Sequence, residues 1–294
     1  MEIGVFVPLA SPTATPEYMH ALGAGCEERG IASIWVAEHV VLFDEGAYAS
    51  KYPYSADGRF PAAGEVGLLD PFNALSFLAA CTRTVRLGTG IVLVPQRNPV
   101  YTAKEVATVD WMSNGRLDFG IGIGWLAEEF DVLGVPFERR GARCREYIDV
   151  MKSLWTAPVS EYEGELYRLR SCRQYPKPVQ RPHPPIHFGG ESGPALKRVA
   201  DLGQGWYGYD LDPAGAGERV ARLTKLLAER GRSIEEVKVS VCPYLRPVTL
   251  ESVEAYRDAG VDQLIVFAMA ADVDELRSVL DSLAESVVAP ARSL

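Results

Sequence analysis

The sequence predicts an α/β chain folded as a (β/α)8 TIM barrel, and three observations predict it. Short β-branched apolar runs alternate with longer amphipathic stretches eight times between Ile3 and Leu283. No shift in composition marks a linker, so residues 1–294 read as one barrel domain. The G-x-G-x-x-G turn of an open dinucleotide-binding sheet, the alternative fold, does not follow the first run. A helix that carries the chain back across a sheet forces parallel pairing, and eight such units close on themselves.

The elements follow in order. Ile3–Pro8 is a buried strand; Thr15-Pro16 is an N-cap followed by an N1 proline, opening a helix that Gly30 ends. Ser33–Ala37 is the second strand and runs into Glu38-His39, after which a polar, Tyr- and Gly-rich insertion spans about 40–69. Asp70-Pro71 opens a helix to about Thr82, Arg86–Val92 is the third strand, and Asn98-Pro99 opens a helix that ends near Ser113-Asn114-Gly115. Arg116–Ile123 is the fourth strand, followed by a helix from about Arg139 to Trp155. A second insertion spans 156–185, with a hairpin at Glu161–Tyr167 and five prolines from Pro176 to Pro185 that forbid regular structure. The remaining strands are Pro185–Phe188, Trp206–Tyr209, Val237–Val241 and Gln263–Phe267; the helices are Ser192–Leu202, Pro213–Arg230, Leu250–Ala259 and Val273–Leu283.

Composition bounds the function. Apolar residues are 47% of 294, enough for a large core and too many for a disordered chain. Thirty basic against 39 acidic residues give a net charge of −9, which argues against a nucleic-acid or membrane-surface partner. The five cysteines have neither C-x-x-C nor paired spacing, so free thiols in a reducing cytosol are expected. The N-terminus lacks the apolar core of a secretory signal, and a soluble, cytoplasmic protein is the expectation.

In a barrel of this kind the chemistry sits where strands end, and both insertions are expected to emerge from that face and fold over a ligand. Glu38-His39 is the one strand-end pair with acid–base capacity near neutrality; His39 reads as a proton donor or acceptor, or as a hydrogen-bonding rim histidine. Gly189-Gly190-Glu191-Ser192, with Lys197 and Arg198 in the next turns, reads as a phosphate cradle or as a plain glycine turn with Ser192 as N-cap. Gly120, Gly122 and Gly124 before Trp125 leave a slot for a planar ring or relieve crowding. The aromatics Trp35, Tyr101, Trp125, Trp206 and Tyr209 point to an apolar pocket or to packing around a ring. No His–carboxylate cluster has metal-ligand spacing, so no metal is expected.

With these residues the chain resembles the luciferase-like flavin and deazaflavin superfamily, and most of all its F420-dependent oxidoreductases. The resemblance runs along the whole chain and is carried by Leu87–Ile91, by Ala107–Asp110 leading into Ser113–Arg116, by Gly122–Phe130, by Arg139-Arg140 with Glu146, and by Phe188–Ser192 leading into Gly205-Trp206. It implies a deazaflavin, coenzyme F420, in the barrel mouth, moving a hydride to or from a small organic substrate. Glu38, Gly90, Ile91, Gly122, Gly124 and Trp125 would surround the ring. The main chain of Gly189, Gly190, Glu191 and Ser192 would hold the phosphate, and His39 would shuttle the proton. It also implies a cis bond at Gly90-Ile91 and a homodimer. Trp125 stands where sugar-phosphate dehydrogenase relatives carry a catalytic glutamate, and Leu93 where they carry a threonine; Glu128 and Glu129 lie close by. The alternatives are a two-component monooxygenase using O2 and reduced FMN from a separate reductase, and a flavin-binding relative without turnover.

Overall fold

The computed structural model describes residues 1–44, 46–61 and 64–292. Its strands are β1 (Glu2–Phe6), β2 (Ser33–Val36), β3 (Arg86–Thr89), β4 (Leu117–Gly122), β5 (Ile186–Gly189), β6 (Gly205–Tyr209), β7 (Lys238–Cys242) and β8 (Gln263–Phe267). All pair in parallel with their sequence neighbours, and β8 closes on β1 in register from Glu2 opposite Gln263 to Phe6 opposite Phe267. The fold is the (β/α)8 barrel that the alternation predicts.

Around it lie α1 (Pro16–Arg29), α2 (Pro71–Cys81), α3 (Pro99–Met112), α4 (Ala127–Val132), α5 (Arg140–Thr156), α6 (Gly193–Leu202), α7 (Pro213–Ala228), α8 (Leu250–Asp258) and α9 (Val273–Leu283). Helix starts sit where polar–proline pairs place them. Thr15, Asp70, Asn98 and Asp212 each accept a hydrogen bond from a backbone N–H of their helix's first turn, with proline in that turn. Gly30, at φ 65°, ends α1 in the left-handed conformation. Among the described residues no helix is long and apolar enough to cross a membrane.

The structure departs from the sequence reading at four places. The third strand is not continuous to Val92: β3 ends at Thr89, the Gly90-Ile91 peptide is cis, and Val92-Leu93 returns to pair with Ile121 and Gly122 of β4. Helix α4 was not expected, because its N-cap position, Leu126, has no capping side chain. The hairpin is longer than Glu161–Tyr167: its strands are Ser160–Glu163 and Arg168–Cys172, and Gly164–Tyr167 is the turn. Finally, segment 156–185 does not cover the mouth. It follows a helix rather than a strand, so it leaves from the opposite end of the barrel and clads the flank of α3 and α5. Glu146 there accepts from the N–H groups of Leu166 and Tyr167, and Asp110 from those of Val179 and Gln180.

Inside the barrel Trp35 packs flat on Gly88, where an added Cβ would lie 2.3 Å from the indole. Gly120 meets the Thr89 carbonyl: its Cβ would sit 1.8 Å from that oxygen, while the Thr89 hydroxyl donates to the Gly120 carbonyl at 2.6 Å. Gly120→Ala therefore drives backbone against backbone beside the strand break, and a loss of about 3 kcal/mol is expected in urea unfolding. Gly217→Ala, in α7 with only ordinary contact to Ala259 at 3.6 Å, raises stability by about 0.5–1 kcal/mol in the same assay.

Candidate active site at the barrel mouth

A cavity of about 590 Å³ opens at the C-terminal ends of the strands, within the size range of small-ligand sites. Of the residues the sequence singles out, Glu38, His39, Gly90, Ile91, Gly122, Gly124, Trp125, Gly189, Gly190 and Ser192 line it. The Glu191 side chain does not. It turns behind the wall, where its carboxylate accepts from the Tyr54 hydroxyl at 3.0 Å and the Tyr209 N–H at 2.8 Å. A second groove, of about 520 Å³, runs beside α9 past Ser278, Ser282 and Ser286, away from His39 and the strand-end glycines.

The end of β2 is fixed from two sides. Glu38 is buried and accepts from the Leu93 N–H at 2.5 Å and from the Arg97 guanidinium. Burial pushes its carboxyl above the ordinary glutamate range, against the opposing pull of Arg97 and of the Leu93 amide. Arg97 also reaches Glu105 at 3.1 Å. Glu38 thus holds the chain that returns from the β3 break, and both of its oxygens are committed. His39 beside it brings Nδ1 to 3.2 Å from Glu129, a fully buried carboxylate that also accepts from the Val40 N–H at 2.7 Å. A carboxylate only accepts, so Nδ1 carries the hydrogen and Nε2 is left for the cavity. Adjacent Glu128 accepts from the N–H groups of Ala49 and Ser50 at 2.6 and 3.2 Å. These neighbouring acids of α4 tether the 40–69 insertion, Glu129 at Val40 and Val41 and Glu128 at Ala49 and Ser50.

The glycines mostly relieve crowding. A Cβ on Gly122 would lie 2.1 Å from the Ile91 side chain, one on Gly189 2.7 Å from it, and one on Gly124 2.7 Å from Phe130. The slot between β4 and β5 is filled by Ile91, which forms part of the cavity floor. The Tyr207 hydroxyl lies beside Gly90, 2.9 Å from where its Cβ would be. Tyr207 is 2% exposed and its hydroxyl has no hydrogen-bond partner, with only the weak Cys242 thiol next to it. Sequence reading missed this group because a strand tyrosine looks like core.

At the start of α6, Gly190 holds φ 102°, a backbone glycine favours, and the Trp206 indole N–H donates to its carbonyl at 3.0 Å. Ser192 caps the helix by accepting from Ala195 N–H. Lys197 is exposed, whereas Arg198 lines the cavity and makes no hydrogen bond or ion pair among the described residues. Burial holds Arg198 below the ordinary guanidinium range, and nearby Arg140 and Arg145 add to this. An anion at this spot would compensate the Arg198 charge, while Arg145 is already paired with Asp201 at 2.6 Å.

The 40–69 insertion supplies the roof. Phe60 stacks with Trp125 at 6.2 Å and meets His39 edge-on at 4.9 Å, and Tyr52 lies 5.2 Å from Trp125. Tyr54 meets Tyr209 at 4.8 Å, and Tyr209 meets Tyr244 at 5.0 Å, which carries the aromatic wall round to β6 and β7. Three aromatics from the sequence list are elsewhere. Trp35 and Trp206 are wholly buried, Trp35 beneath the floor and Trp206 behind Gly190. Tyr101 is 73% exposed on the outside of α3. Periodicity separates a barrel-mouth aromatic from these neither by sign nor by spacing.

Comparison with known proteins gives one family. The model of the luciferase-like monooxygenase family matches residues 1–286. An uncharacterised protein of Mycobacterium tuberculosis is 29% identical over 259 residues, covering 88% of this chain and 89% of that one. The pyrimidine monooxygenase RutA of Allorhizobium ampelinum is 28% identical over 245 residues, 79% of this chain and 64% of that one. Among solved structures, the coenzyme F420-dependent tetrahydromethanopterin reductase from Methanopyrus kandleri superposes with a TM-score of 0.75 at 18% identity, with 98% of each chain covered.

The Glu38–Arg97 pair gives a direct test of how the mouth is held. Arg97→Met leaves a buried carboxylate unpaired, at an expected cost of about 3–5 kcal/mol at pH 8. A carboxyl whose folded-state pKa is raised loses stability as pH rises through that pKa. The deficit against the parent protein should therefore shrink at pH 5, and denaturant midpoints at the two pH values check it.

Proposed function

The chain belongs to the luciferase-like monooxygenase family, and from that premise we propose an oxidoreductase that binds coenzyme F420 in the barrel mouth and moves a hydride between it and a small organic substrate. The observation that carries this reading is a cavity lined both by an uncommitted guanidinium, Arg198, and by a carboxylate-braced histidine, His39. The residues fit a phosphorylated ring cofactor. Arg198, with the backbone from Gly189 to Ser192, would hold the phosphate, and the orphaned Tyr207 hydroxyl would meet a polar edge of the ring. Gly90, Ile91, Gly122, Gly124 and Trp125 would shape its surroundings, while Glu38 acts through Leu93 and Arg97. When bound, the deazaflavin supplies a two-electron hydride carrier at C5.

Reduction of a C=O, C=N or C=C bond adds a hydride to one atom and a proton to the other. His39 Nε2 supplies that proton as the imidazolium and takes it back in the reverse oxidation, with solvent restoring the balance. Glu129 fixes the ring orientation and stabilises the charge that forms on it. The insertion roof excludes water from the exchange. Similarity to a pyrimidine monooxygenase supports a second reading, a monooxygenase that uses O2 and reduced FMN from a separate reductase.

Titration separates the readings. Binding of F420, followed by its own absorbance, with no retention of reduced FMN supports the first; the converse supports the second; binding of neither overturns both. Arg198→Ala should weaken the retained cofactor about tenfold to a hundredfold, leaving a phosphate-free ring analogue unaffected. His39→Ala should lower kcat by about 10²- to 10⁴-fold with cofactor Kd unchanged. Glu129→Gln should lower kcat at least tenfold, and add nothing on top of His39→Ala if it acts through the histidine. Additive losses would assign Glu129 to scaffold alone.

A further inference from the structure

The cavity's charges are unevenly spread. Among the described residues, its ionisable acids and bases apart from tyrosine are Glu38, His39 and Arg198. Glu38 is already neutralised by Arg97 and the Leu93 N–H. Arg198, in the second turn of α6, belongs to the phosphate end in the reading above. The rest of the space, under the insertion, is lined by aromatic side chains: Tyr52, Phe60, Trp125, Tyr209, Tyr244 and Phe267. No guanidinium, ammonium or unpaired carboxylate faces it there among the described residues, and apart from the tyrosine hydroxyls His39 is the one group able to exchange a proton.

The rim has the same character. Val66, Leu245 and Met269 line the cavity and are among the large apolar side chains left exposed, Leu245 by 69% and Met269 by 65%. Exposed apolar side chains gathered at the entrance of a cavity mark where an apolar molecule enters.

A phosphate or carboxylate carried under this roof would be stripped of water with no counter-charge, a penalty of several kcal/mol per ion. A flat uncharged ring would instead exchange water for aromatic contact. We propose that the substrate is an uncharged, largely apolar, ring-bearing compound that presents one reducible or oxidisable group to His39, and that sugar phosphates and carboxylates are refused. This rests on the reading that a ring cofactor occupies the α6 end, and names the substrate class for that same site.

The test uses the full chain loaded with whichever cofactor it retains. Cofactor loading is read first, by absorbance; if it fails, the reading of the site fails, and this one with it. Matched pairs are then titrated in that differ by one charge, cyclic ketones and enones of one to three rings against the same skeletons bearing a carboxylate. Tryptophan fluorescence and the thermal midpoint of the loaded protein report binding without turnover. The expected result is saturable quenching and a raised midpoint with the neutral members, and at least a hundredfold weaker binding of their carboxylates. Loading followed by carboxylate binding within threefold of the neutral partner, or by no binding of any neutral member, overturns the proposal and leaves the cofactor assignment standing.

Discussion

The mouth of this barrel depends on one buried carboxylate. Glu129 holds the Val40 N–H and the His39 ring together from a short helix that begins after β4. Its partners are the N–H groups of Val40 and Val41, which open the insertion, and the ring of His39 beside the end of β2. A carboxylate with no exposure to water is stable only when its lone pairs are occupied, so the contacts that keep Glu129 folded are the same ones that aim His39. Glu128, next in sequence, extends the hold to Ala49 and Ser50. The roof and the His39 ring are thereby positioned by a single helical turn.

The floor is organised by a different constraint, space. β3 stops at Thr89, and the chain re-enters the sheet at Val92 with Glu38 gripping the Leu93 N–H. Ile91 is left projecting across Gly122 and Gly189, where any side chain would collide with it. Glycine on β4 and β5 therefore serves the neighbour's side chain, and the ligand space lies above that isoleucine. The crowding reading of the glycine triplet holds, and the cavity is still there because the roof, rather than the glycines, encloses it.

The order of elements was legible in the sequence because barrel units are local. A capping residue, a proline and an apolar period recur within a dozen positions at Thr15, Asp70 and Asn98, and the structure keeps each boundary within a residue or two. The site was legible only as a set of strand ends. Its strongest interactions join residues 90 and 55 positions apart, His39 to Glu129 and Glu38 to Leu93, and no periodicity encodes them. Helix α4 escaped because it lacks a cap. Arg198 could have been preferred to Lys197 by its phase, since it follows Ala195 by three positions on the buried face of α6. Segment 156–185 follows a helix, and a connection that follows a helix starts at the barrel end remote from the mouth.

The most direct measurement is a crystal structure of the full chain with oxidised F420 bound. The account predicts the cofactor phosphate within hydrogen-bond distance of Arg198 and the start of α6, the ring over Ile91 with a polar edge at the Tyr207 hydroxyl, and its open face toward His39. A phosphate bound elsewhere, or a ring outside the barrel mouth, would contradict it.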